Sequence, residues 1–151
     1  MELEISIIDS SIPWEKSVSK RQAIKEVSDA ANNLVASNEY GDSIEKMFVF
    51  LIIVEPVYDA FCKPRRPRYT EHKETRALGS IPIVIHKTLE IEIKLNYEQV
   101  LAAEGEELKR IVASEVLNTL YNLKVSKKVT DFDKDRFVAD IDGLFYQKFL
   151  R

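Results

Sequence analysis

From Ile81 to Leu95 the chain reads IPIVIHKTLEIEIKL, and every odd position except Lys87 is isoleucine or leucine. From His86 onward the even positions, His86, Thr88, Glu90, Glu92 and Lys94, are polar. Side chains alternate across a strand with period two, so this pattern predicts a strand with one apolar face and one face turned to water or a partner. One-sided patterning is the habit of antiparallel sheets, because parallel strands are covered on both faces and read as unbroken apolar runs. Lys87 breaks the alternation. The segment is therefore either one long strand with a local irregularity or two strands joined by a tight turn at His86 to Thr88.

The same reading runs along the rest of the chain. Leu3, Ile5 and Ile7 alternate with Glu4 and Ser6, predicting a first strand over Leu3 to Ile8 that ends before Pro13. Trp14 either covers one end of the core or stands exposed as an interface anchor. Ser19 and Gln22 have capping-box spacing, and Ile24, Val27, Ala31, Leu34 and Val35 follow at helical intervals, predicting a helix from Lys20 to Ala36. MFVFLIIV, Met47 to Val54, predicts a central strand buried on both faces. Asp59 to Pro67 predicts a projecting loop stiffened by Pro64 and Pro67. Arg68 to Leu78 has two polar faces, as an edge strand, a hairpin arm or no strand would. Asn96 and Gln99 cap a short helix over Tyr97 to Ala103, which Gly105 should break. Leu108, Ile111, Val112, Val116, Leu120 and Leu123 mark a helix over Glu106 to Leu123, and a last one opens at Thr130 to Asp133 with Phe137, Ile141, Leu144, Phe145 and Phe149 on one face. The expected fold is α+β: an antiparallel or mixed sheet of four to five strands, an N-terminal helix, and two to three C-terminal helices, in one domain over 1–151.

Composition narrows the function. With 45% hydrophobic and 31% charged residues the chain is an ordinary globular protein, and its net charge of -3 argues against a general nucleic-acid binder. Charge is uneven, with a basic stretch from Lys63 to Arg76 and an acidic one from Glu90 to Glu107. The acidic N-terminus MELEISIID does not resemble a secretion signal, and the longest apolar run is far shorter than the roughly 20 residues of a membrane helix, so a soluble cytoplasmic protein is expected. Cys62 is the one cysteine, which rules out an intrachain disulfide. Asp131, Asp133 and Asp135 imitate the start of a calcium loop, but Arg136 stands where that turn needs glycine, and helix-start carboxylates explain them better. No metal or cofactor is expected. Catalysis would have to rest on Glu90 with Glu92, or on Cys62 with His72 or His86, and no recognised motif surrounds any of them.

The run LEIEIKL into NYEQVL, EELKRIVASEVLNTLYNL, a basic turn and DFDKDRFVADIDGLF resembles the small immunity proteins of bacterial polymorphic-toxin and contact-dependent inhibition systems. The resemblance covers roughly residues 87–149. It implies a non-enzymatic protein, expected as a monomer, that binds and neutralises one cognate toxin domain. If that toxin is a nuclease, its basic groove would match the acidic set Glu90, Glu92, Glu98, Glu104, Glu106 and Glu107. Otherwise the basic loop Arg65, Arg66, Arg68 and Tyr69 is the better contact. A regulatory adaptor or secretion chaperone is the competing reading, and an enzyme the third.

Overall fold

A computed structural model of the protein describes residues 1–75 and 82–151, with side chains for 1–72 and 86–151. The elements are β1 (Glu2–Ser10), α1 (Trp14–Ala36), β2 (Lys46–Ile53), β3 (Arg68–Thr75), β4 (Pro82–Lys94), α2 (Tyr97–Ala102), α3 (Gly105–Tyr121) and α4 (Lys134–Lys148). The strands form a mixed sheet in the order β1-β2-β4-β3, in which β1, β2 and β4 are parallel and β3 is antiparallel to β4. This is the expected α+β architecture, with four strands.

One face of the sheet carries the core. Leu3, Ile5, Met47, Val49, Leu51, Leu89, Ile91 and Ile93 alternate inward and join Val27 and Val35 of α1, Val112 and Val116 of α3, and Phe137, Ile141 and Phe145 of α4 in one cluster. Each fully buried aliphatic or aromatic side chain contributes about 1.5–3 kcal/mol, so the helices are held here by their apolar stripes more than by helix propensity. Asn96 and Asp133 cap α2 and α4, their side-chain oxygens accepting the Gln99 and Arg136 amides. Gly105, at φ 51°, turns the chain between α2 and α3, as its position predicts.

One open alternative is settled and three expectations change. β4 runs unbroken through His86, Lys87 and Thr88, so the segment is one strand and contains no turn there. Lys87 is tolerated on the apolar side because it sits at the rim, where its Nζ donates to the Asp42 carbonyl at 3.2 Å. The antiparallel setting holds only toward β3. Toward β2 the strand is parallel over Thr88 to Lys94, and it keeps a wet face because the long helices all lie on the other side. For the same reason β2 is not fully buried on both faces: Phe48 and Phe50 are partly exposed. Finally, α1 starts at Trp14, and Ser19 lies inside it without capping. Within it Lys20 fastens the helix to the start of α3: its fully buried Nζ donates to the Ala103 carbonyl at 2.6 Å and to Glu104 Oε1 at 2.9 Å. The remaining expectations for Leu78, Gly79 and Ile81, and for the side chains of Ile83 and Ile85, lie outside the described residues.

The acidic stretch that imitates a calcium loop does structural work. Asp131 accepts the Asp42 amide through Oδ2 and the Ser43 amide through its carbonyl, while its own amide donates to Ser43 Oγ. Gly41, at φ 100°, lies so close to Asp131 that a side chain there would collide with its backbone.

Candidate functional site

The register places a ladder of contact chemistry on the outer sheet face. Across it, Glu4 of β1, Phe48 of β2, Glu90 of β4 and Arg68 of β3 stand side by side, and Ser6, Phe50 and Glu92 form the next row. The Phe48 and Phe50 rings stack with centroids 5.5 Å apart. Lys46 Nζ lies 4.5 Å from the Phe48 centroid and reaches Glu4 at 3.5 Å and Glu2 at 3.9 Å. On the other flank Arg68 donates to Glu90 at 2.6 Å and Arg65 approaches Glu92 at 3.8 Å, while the Thr70 and Thr88 hydroxyls meet at 2.7 Å. Exposed pairs of this kind add at most about 1 kcal/mol each, so they do little for stability. Their effect is to order the side chains of the face before anything binds.

Glu90 and Glu92 do face outward, with side-chain exposures of 26% and 15%, yet each is covered by an arginine of its own chain. Two members of the acidic set, Glu90 and Glu92, and two of the basic loop, Arg68 and Arg65, read from sequence as alternatives, thus meet as one paired patch. Tyr69 is not part of it; it lies on the inner side, its hydroxyl donating to the Ser43 carbonyl at 2.7 Å, and burial first and then the neighbouring Glu71 push its phenol pKa up. Glu98, Glu104, Glu106 and Glu107 lie elsewhere, at the starts of α2 and α3. Hydrogen bonding from Lys20 holds the Glu104 carboxyl below its ordinary range. Glu106 pairs with Lys109, which also binds Glu26, and Glu107 pairs with Arg110.

Beyond the open face, the loop after β2 makes a short 3-10 turn at Pro56–Tyr58 and is tied down by an ion pair between Asp59 and Lys94. It displays Val57 and Phe61, which are 70% and 85% exposed. The Glu55 amide donates to Ser11 Oγ at 3.1 Å, bringing this loop to the entrance of α1, where Trp14 is 77% exposed. Trp14 is therefore an exposed side chain and not a lid on the core.

Of the candidate catalytic residues, His72 and His86 face each other across β3 and β4, and His86 Nδ1 lies 3.9 Å from Glu45. Cys62 sits in the preceding loop. Among the described residues no group of three or more His, Cys, Asp or Glu is arranged to hold a metal ion, and no helix is long and apolar enough to cross a membrane. Sequence reasoning missed Phe48 and Phe50, whose alternation with Met47, Val49 and Leu51 is masked because both faces of β2 are hydrophobic.

Comparison with family models places the chain among bacterial immunity proteins, the protective components of toxin systems. It belongs to the immunity protein 44 (Imm44) family, whose model matches residues 1–147. No curated protein and no solved structure matches the chain.

Proposed function

We propose that this protein is a non-enzymatic inhibitor that binds one cognate toxin domain in the cytoplasm and neutralises it through the open sheet face. The observation that carries this reading is the stacked Phe48–Phe50 pair, left uncovered by the helices and framed by ordered ion pairs. Aromatic anchors ringed by polar groups are the usual composition of a tight protein contact, because the rings supply buried area while the rim excludes water and fixes register. Trp14, Val57 and Phe61 extend that surface around one end of the sheet.

A nuclease toxin is the partner class that outward carboxylates would suit, its substrate groove being basic. On this surface Glu90 and Glu92 would act by exchanging Arg68 and Arg65 for cations of the toxin. Co-expression with the toxin encoded beside it tests the reading. A stoichiometric complex and loss of toxin activity in that complex are expected. A toxin that stays fully active and elutes separately would refute it.

A further inference from the structure

Where β3 begins, β4 is left with a free edge. The antiparallel ladder starts with Arg68 opposite Glu90, and β4 continues to Lys94 with no β3 residue beside it. Backbone groups of alternate residues point to the same side of a strand. The Leu95 amide donates toward β2, to the Ile52 carbonyl, so the amides and carbonyls of Glu92 and Lys94 point away from β2, into that gap. A groove of about 800 Å³ reaches the near end of this gap at Glu92, lined by Arg66 and Pro67 on one bank and by Asn118, Asn122, Lys124 and Val125 on the other.

The opposite edge of the sheet is blocked at two amides. On β1 the Leu3 and Ile5 amides donate to Asn32 Oδ1 and Ser28 Oγ of α1, both at 2.8 Å. Side chains thus occupy two amides at this edge, as natural sheets commonly arrange, whereas beyond the start of β3 the amides of Glu92 and Lys94 have no such cover among the described residues.

The charge around the groove identifies its occupant. Arg65 and Arg68 are committed to Glu92 and Glu90, but Arg66 and Lys124, which line the groove from opposite banks, make no ion pair among the described residues. Two basic segments far apart in sequence therefore converge on one groove in a chain whose net charge is negative. Free backbone groups call for a backbone partner, and exposed carboxamides such as Asn118 and Asn122 suit peptide groups too.

We propose that this groove takes an extended acidic segment of the cognate toxin domain, added as a short strand against Glu92 to Lys94. The site rests on the toxin-binding reading above and shares Glu92 with the open face. Its position gives the toxin a second, main-chain contact at the border of the aromatic patch.

The test uses the full chain and its toxin, with unmodified protein first shown to bind. Arg66 and Lys124 are exposed and unpaired, so Arg66→Glu with Lys124→Glu should fold normally while weakening toxin binding about tenfold or more. Hydrogen exchange of the complex should protect the Glu92 and Lys94 amides, and leave the already bonded Leu3 and Ile5 amides unchanged. Unaltered affinity of the double variant, or exchange at Glu92 and Lys94 as fast as in the free protein, would overturn the proposal while leaving the toxin-binding reading intact. Charge-dependent binding of a single-stranded RNA oligonucleotide in this groove, with toxin affinity untouched by the double variant, would also overturn it. Absence of any complex with unmodified protein would instead refute the wider reading.

Discussion

The two faces of the sheet obey different rules although the same strands build them. Inward, Val49, Leu51, Leu89 and Ile91 are almost wholly buried against three helices, and position is set by packing. Outward, Phe48, Phe50, Glu90 and Glu92 are ordered by stacking and by ion pairs that contribute little to stability. The inner face accounts for the fold, whereas the outer one keeps large side chains ordered and partly exposed at small folding cost. That difference is measurable, because substitutions on one face should unfold the protein and substitutions on the other should not.

The largest effect is expected in the core. Phe137→Ala removes a fully buried ring that packs edge-on against Tyr40 at 5.3 Å and should cost about 3–5 kcal/mol by denaturant unfolding. A loss below about 1 kcal/mol would mean that α4 is not an integral part of the body.

Next is the joint that fastens α1 to the start of α3. Lys20→Met leaves the Ala103 carbonyl without its donor and should cost about 1–3 kcal/mol at neutral pH. The pH dependence has a definite sign. Glu104 is held below its ordinary range by Lys20, so the stabilisation is complete above the ordinary carboxylate range and is lost as pH falls through the lowered folded value. The stability gap between the parent and Lys20→Met should therefore narrow in acid. A gap that widens in acid would contradict the assignment.

At the blocked sheet edge Ser28→Ala should cost about 1 kcal/mol, by freeing the Ile5 amide, and should raise self-association in sedimentation runs. The smallest effect belongs to the open face, where Phe48→Ser should change stability by no more than about 1 kcal/mol, since its ring is partly exposed and lies outside the core cluster.

The same division decides what was legible in the sequence. β4, α2 and the face of α4 follow from period and capping because each has one apolar side and a local stop signal, as Asn96 and Asp133 provide. The start of α1 does not, since the Ser19 and Gln22 spacing imitates a cap while the helix begins at Trp14, directly after Pro13. Nor does the site. Phe48 and Phe50 look like core residues in a one-dimensional pattern, and only the placement of every long helix on one side leaves them open. Charge misleads for a related reason: the stretch from Glu90 to Glu107 is acidic in sequence, but the fold pairs its first two members with Arg68 and Arg65 and sends the others to helix starts.

The most direct measurement compares toxin affinity, by calorimetry, for two double variants of equal stability. Phe48→Ser with Phe50→Ser alters the open face, and Glu106→Lys with Glu107→Lys alters the helix layer. Loss of about a hundredfold or more for the first, with the second close to the parent, is the predicted result. Full affinity in the phenylalanine variant, with binding lost in the glutamate variant, would contradict it and move the toxin to the helices.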